Sequence, residues 1–262
     1  MSIALRFEDG VAVVTLARPE IRNAITGQDM IEELLDALDE AESNPDVAVA
    51  IIDAEGPAFS AGGNVKDMAT REGLFSGTPA EMTEKYRETI QQLTRFMAST
   101  DLVTIASVNG PAVGAGFDLV LGCDLRYGSR NARFAHTFIE MGIIPGDGGA
   151  WLLPRVVGWQ RATELALTAR FITSSEAEKY GVLLEVVPEE KLADHVMSVA
   201  RSIAAKPRPA VVMAKRLLRQ ARSMDLDGFL EFSAALQAIA HTTPEHEAAV
   251  GDYLKKLQNR GE

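Results

Sequence analysis

One stretch constrains the fold of this 262-residue chain more than any other: Val103 to Asp124, VTIASVNGPAVGAGFDLVLGCD. It opens with a β-branched apolar run, Val103 to Val108, the pattern of a buried strand. Asn109-Gly110-Pro111 breaks the run, small residues follow from Ala112 to Gly116, and Phe117 to Leu121 read as an apolar helix ending at Gly122. A strand that turns into a helix through glycines leaves free backbone N–H groups at the helix start. With the helix dipole, such donors suit a negatively charged oxygen. Small side chains let a substrate approach the backbone. An oxyanion site and an ordinary tight turn both fit this stretch. A dinucleotide fingerprint does not, because Leu119 stands where a third glycine is needed. No Gly-x-Ser-x-Gly elbow, phosphate-binding loop or metal-ligand spacing occurs elsewhere.

The same device recurs along the chain. Ile3 to Phe7 and Val11 to Leu16 predict a hairpin about Asp9-Gly10. Thr26 is placed to cap a helix from Gly27 to about Glu42, and Val47 to Asp53 predicts a second buried strand. That strand leads into Gly56-Pro57-Ala58-Phe59-Ser60-Ala61-Gly62-Gly63 and a further helix start. Arg71 to Pro79 has the composition of a mobile loop, and one helix is expected from Thr78 to about Ser99. After the central stretch come short strands at Leu125 to Tyr127 and Ala132 to Ala135. A third glycine turn, Pro145-Gly146-Asp147-Gly148-Gly149, precedes a helix with Trp151. Helices are expected from Arg161 and from Ser174, the latter capped by Ser174 with Glu178, and a last strand covers Val182 to Val187. From Glu189 the pattern is helical. The chain therefore divides into an α/β core, 1–188, and a helical region, 189–262.

Composition narrows the partners. A net charge of −11 argues against a general nucleic-acid binder, while a few local cations and helix starts still suffice for a small anion. Cys123 is the only cysteine, so no intrachain disulfide forms, and a reducing, cytoplasmic setting is expected. No apolar run is long enough to cross a bilayer, and no leader pattern opens the chain.

An oxyanion hole usually needs two donors on one oxygen. The N–H groups near Gly63 and Ala115 are one candidate pair. Asp118, one helical turn beyond Ala115, is the leading acid or base; Asp147 and Glu140 flank the third turn as alternatives. His136 is the histidine nearest these turns and reads as structural or pocket-lining.

These residues resemble the crotonase superfamily, the enoyl-CoA hydratase/isomerase family, over essentially the whole chain. The resemblance is carried by Arg18-Pro19 with Arg22-Asn23-Ala24, Ala58-Phe59-Ser60-Ala61-Gly62-Gly63, Val108-Asn109-Gly110-Pro111-Ala112-Val113-Gly114-Ala115-Gly116, Pro145-Gly146-Asp147-Gly148-Gly149, and Thr243-Pro244-Glu245-His246-Glu247-Ala248. It implies an α/β spiral of repeated ββα units with a helical C-terminal trimerisation region, assembled as a homotrimer or dimer of trimers. It implies an acyl-CoA thioester whose carbonyl sits between the N–H groups of Gly63 and Ala115, with CoA entering as part of the substrate and no other cofactor. Arg22, Ala24, Ala61 and Lys66 fall at positions that contact CoA. Tyr253 and Lys256 fall where the family reaches a neighbouring subunit's CoA.

Two departures bear on the chemistry. Hydratases of this family use two glutamates to place and activate water; Asp118 falls on the first position and Phe138 on the second. Asn64 also replaces a common aspartate after the first turn. A single carboxylate can shuttle a proton between carbons of an enolate, and a pocket walled by Phe138 favours that over water addition. Hydration and double-bond isomerisation both remain open. A non-catalytic acyl-CoA-binding protein and a thioester hydrolase are the alternatives of other classes.

Overall fold

The computed structural model describes residues 2–26 and 28–258. In chain order its elements are β1 (Ile3–Glu8), β2 (Val11–Leu16), α1 (Gln28–Ser43), β3 (Val49–Ala54), α2 (Val65–Thr70), α3 (Pro79–Glu88), α4 (Ile90–Ser99), β4 (Val103–Val108), β5 (Pro111–Val113), α5 (Ala115–Gly122), β6 (Leu125–Ser129) and β7 (Arg133–Ala135). There follow α6 (Gly149–Val157), α7 (Trp159–Thr168), β8 (Ile172–Thr173), α8 (Ser174–Lys179), β9 (Glu185–Val187), α9 (Glu189–Ala204), α10 (Arg208–Gln220), α11 (Leu226–Ala240) and α12 (Pro244–Gln258).

The main sheet runs β1-β2-β3-β4-β6-β9, antiparallel at the β1–β2 hairpin and parallel thereafter. A second sheet runs β5-β7-β8, and an isolated parallel bridge, Ser60 to Ala112, lies beside it. Each turn of chain thus adds a strand to the main sheet, a short extended piece beside the second sheet, then a helix. β3, Ser60 and α2 make one such unit; β4, β5 and α5 make the next. This is the ββα spiral the sequence led us to expect.

Strand residues alternate between two buried faces. Ala12, Val14, Leu16, Ala50, Ile52, Ala106 and Val108 join the core formed with α1, α4 and α5. Val11, Val13, Val49, Ile51, Ile105 and Tyr127 pack on Leu192, Val196 and Ala200 of α9. A parallel sheet covered on both faces needs this near-continuous apolar content. The first two glycine turns follow the carboxyl ends of β3 and β4, where open α/β sheets place ligands.

Several local expectations need correction. The helix expected from Thr78 to Ser99 is two helices, broken at Thr89 (φ −119°, ψ −100°). The Thr89 hydroxyl donates to the Lys85 carbonyl at 2.6 Å, a back-bond that bends helices. Thr26 Oγ1 accepts the Asn64 N–H at 2.8 Å, and the cap expected of Thr26 falls at Gly27, which lies outside the described residues. The α8 cap is Thr173 with Glu176, a complete capping box one residue earlier than Ser174. The Arg71–Pro79 loop is anchored: Leu74 is buried, and Lys85 Nζ donates to the carbonyls of Gly73 and Ser76.

Helices α10, α11 and α12 bury no residue among those described. Leu218, Leu226 and Leu230 are more than half exposed on them. No helix among the described residues is long and apolar enough to cross a membrane.

Candidate active site

The first two glycine turns lie side by side. Ser60 N–H donates to the Pro111 carbonyl at 3.1 Å, and Val113 N–H donates to the Ser60 carbonyl at 2.9 Å. Gly62 has φ +77°, and a Cβ there would stand 2.3 Å from the Val113 carbonyl oxygen and 3.0 Å from the Ala115 nitrogen. Only glycine fits that approach. The turn that presents Gly63 therefore lies against the start of α5, which presents Ala115. Neither the Gly63 nor the Ala115 N–H donates to an acceptor among the described residues. Two adjacent free donors, one at a helix N-terminus, are what a developing oxyanion needs.

The loop before α1 runs along the first turn. Ala61 N–H donates to the Arg22 carbonyl and Ile25 N–H to the Gly62 carbonyl, each at 2.9 Å. Buried Asn23 fixes this loop: its amide donates to the Glu55 and Ala58 carbonyls, and its oxygen accepts the Arg18 N–H. Arg22, Ala24 and Ala61 are thus brought together, with Arg22 exposed and Ala24 buried. Lys66 is exposed in the first turn of α2, whose cap is the Asn64 side chain accepting the Lys66 N–H.

Asp118 is buried on α5. Its Oδ1 lies 2.6 Å from His136 Nε2, and its Oδ2 accepts the Gly149 N–H at 3.0 Å. A Cβ on Gly149 would fall 2.1 Å from Asp118 Oδ1, so the third turn can close on Asp118 only through glycine. From the other side α4 holds the same turn. Gln91 Nε2 donates to the Gly146 carbonyl at 3.0 Å, and the Thr94 hydroxyl donates to the Asp147 carbonyl.

Asp147 is buried within this clamp. Burial pushes its carboxyl up to about 7, and the charge of Asp118 adds to the shift. The Tyr86 phenol, half-buried on α3, is raised by burial and by the charge of Asp147. Asp118, Asp147 and Thr94 line a cavity of about 10 Å³ with Ile90, Leu93 and Leu152, about enough for one water. A wider hollow of about 390 Å³, between His241 and Val250, shares no residue with this site.

The structure brings Gly63, Ala115, Asp118, Asp147 and Phe138 into one neighbourhood. The Phe138 ring lies 3.6 Å from where a Gly114 Cβ would be, beside the Ala115 donor, and meets His136 edge-on. Glu140 is exposed on the 3-10 helix Thr137–Met141 and does not line the cavity. Tyr253 and Lys256 are exposed on α12, and neither lines it. Sequence reasoning missed the bond from His136 to Asp118, the α4 clamp and Tyr86. The only signal for the first was that His136 lies near the glycine turns.

The family model for enoyl-CoA hydratase/isomerase matches residues 6–260. The chain is 31% identical to the 1,2-epoxyphenylacetyl-CoA isomerase of Escherichia coli (strain K12) over 249 residues, covering 95% of this chain and 94% of that protein. It is 30% identical to the short-chain-enoyl-CoA hydratase of Clostridium acetobutylicum over 264 residues, covering 99% and 97%. The crystal structure of an enoyl-CoA hydratase from Bacillus anthracis superposes with a TM-score of 0.90 at 27% identity, covering 98% and 97%. An isomerase and a hydratase stand at nearly equal identity, so the chemistry has to be argued from the site. With the spiral fold and the paired donors in place, the chain belongs to the enoyl-CoA hydratase/isomerase family.

Proposed function

We propose that the protein converts an acyl-CoA thioester through an enolate and that its reaction is double-bond isomerisation of an enoyl-CoA. One observation carries the reading: two free N–H groups, Gly63 and Ala115, stand together beside the buried carboxyl pair Asp118 and Asp147. A thioester oxygen held by both donors gains negative charge as the α-carbon gives up its proton, and each donor contributes about 3–4 kcal/mol to holding that charge. One carboxylate of the pair takes the proton and returns it at the γ-carbon. Phe138, where a hydratase carries its second glutamate, supplies an apolar wall and no proton.

CoA enters as part of the substrate, along the Arg22–Ala24 loop and Ala61 with Lys66 beside its phosphates, and no other cofactor is invoked. The exposed apolar side chains of α10 to α12 support a trimer or a dimer of trimers, in which Tyr253 and Lys256 face a neighbour's CoA.

A second reading, hydration, draws on the water-sized cavity between Asp118 and Asp147. The deciding experiment supplies trans-2- and trans-3-hexenoyl-CoA separately and identifies the products by absorbance and mass. Interconversion at unchanged mass is expected. A product heavier by one water makes the protein a hydratase, release of free CoA thiol makes it a thioesterase, and binding without turnover makes it a carrier.

A further inference from the structure

The reaction as described leaves one buried polar side chain without a task. His136 is 1% exposed, at the junction of β7 and the 3-10 helix Thr137–Met141. Its ring stands edge-on to Phe117 and Phe138, with centroids 5.1 and 5.6 Å away. Nε2 meets Asp118 Oδ1, while Nδ1 has no hydrogen-bond partner among the described residues.

This asymmetry fixes the protons. A proton on Nδ1 would be a buried donor with no acceptor, which folded proteins avoid. A neutral imidazole has one N–H, and on Nε2 it donates to Asp118. Gly149 N–H is a donor in any protonation state, and it points at the other Asp118 oxygen. Both oxygens of Asp118 therefore accept, and its carboxylate holds no proton.

We propose that His136 is a positioning residue. Together with the Gly149 N–H, it holds Asp118 as a proton-free bracket between α5 and the third turn, leaving Asp147 as the carboxyl that carries the substrate's proton. The inference rests on the enolate reading and divides its carboxyl pair into two roles. The bracket grips Gly149, two residues beyond Asp147, while Gln91 and Thr94 grip the turn from α4. Asp147 is thus fixed in place without its carboxyl being consumed in a hydrogen bond to the described protein. The titratable groups facing it are Asp118 from α5 and Tyr86 from α3, with His136 behind Asp118. Burial and the fixed Asp118 charge raise its proton affinity to the neutral range, where an acid–base group works in both directions. In the step itself the α C–H bond breaks, its proton passes to Asp147, and its electron pair enters the thioester as the enolate oxygen held by Gly63 and Ala115. The proton then leaves Asp147 for the γ-carbon as the enolate electrons return.

The test labels aspartate carboxyls with carbon-13 in the full chain and follows them by NMR against pH. In parallel, it follows deuterium uptake at the α-carbon of trans-3-hexenoyl-CoA in heavy water. One carboxyl should titrate near neutral pH in the unmodified protein and be absent in D147N, which should not exchange. D118N removes the negative charge beside Asp147, so the Asp147 titration should persist but move down by about 1–3 units. That titration is the readout, because one amide oxygen cannot accept from both His136 and Gly149 and the exchange rate should fall as well. H136Q keeps a donor to Asp118 and should preserve the single neutral titration. H136L removes the donor and should disturb the Asp147 titration while exchange falls about a hundredfold or more. A purely structural histidine predicts equal losses in H136Q and H136L with the Asp147 titration unmoved in both, and that result overturns the proposal. So does a neutral titration lost in D118N rather than in D147N. If the unmodified protein does not exchange this probe, the enolate reading fails, and the titrations still decide the role of His136.

Discussion

Around Asp118 every turn is tied from two sides, whereas α10, α11 and α12 bury no residue among those described. Both regions are rich in apolar residues, so hydrophobicity does not separate them. The difference lies in how contacts are satisfied. The core closes on itself through glycines and buried hydrogen bonds that tolerate no added atom. The last helices carry apolar side chains that the single chain leaves exposed. A site that stabilises a transition state needs the first kind of construction. A surface for assembly needs only exposed apolar area.

This contrast can be broken at its tightest point. Gly149→Ala places a methyl group 2.1 Å from Asp118 Oδ1 and forces the third turn away from a buried carboxylate. Chemical denaturation should show a loss of about 3–5 kcal/mol, with activity falling with it. Asp147 tests the region by the opposite sign. Its folded-state value, about 7, lies above the ordinary 3.8, so the native state binds a proton that the unfolded chain gives up between these pH values. The stability this protonation contributes falls as pH rises through that window. Asp147→Asn, which mimics the protonated form, should match the parent near pH 4 and exceed it above pH 7 by up to roughly 4 kcal/mol. Urea melts at the two pH values measure this, and equal differences at both would refute the buried-acid assignment.

Gly62→Ala strikes the donors rather than the carboxyls. Its Cβ meets the Val113 carbonyl and must separate the Gly63 and Ala115 N–H groups, so kcat should fall about 10²–10³-fold, provided calorimetry still detects CoA binding. The smallest effect on the site belongs to the other region. Replacing Leu226 and Leu230 together by Gln should leave local stability within about 0.5 kcal/mol per substitution. Light scattering should report a smaller assembly, and an unchanged mass would show that these side chains are not the assembly surface.

Much of the core was legible because its constraints are local. The hairpin at Asp9-Gly10, the two strand–glycine–helix turns and the third glycine turn announce themselves in a few consecutive residues, since glycine meets their backbone requirements. The candidate donors Gly63 and Ala115 came from their places after two glycine turns together with the family resemblance, and the structure sets those two turns side by side. What escaped was set by tertiary contact or by close competition between neighbours. Nothing near residue 118 indicates that its carboxylate will meet His136, which arrives from another unit of the spiral. The break at Thr89 carries no glycine or proline and depends on one hydroxyl turning back on a carbonyl. The α8 cap fell to Thr173 rather than Ser174 because Glu176 sits at the reciprocal position for the threonine. Thr26 also accepts an N–H from a residue 38 positions away, a contact no local pattern signals.

The parallel bridge from Ser60 to Ala112 has a kinetic consequence. It joins segments about fifty residues apart, and the contacts that complete the third turn span 31 and 53 residues. Loops of that size close late, because their entropy is lost before distant contacts compensate for it. The donor pair and the carboxyl pair are therefore products of closure, absent from any partly wound chain. A nascent polypeptide that has not yet extended past Gly149 holds all its parallel strands but the last, and no working site. Recovery of activity during refolding is thus a clock for the final winding of the spiral, and it runs behind the return of helical signal.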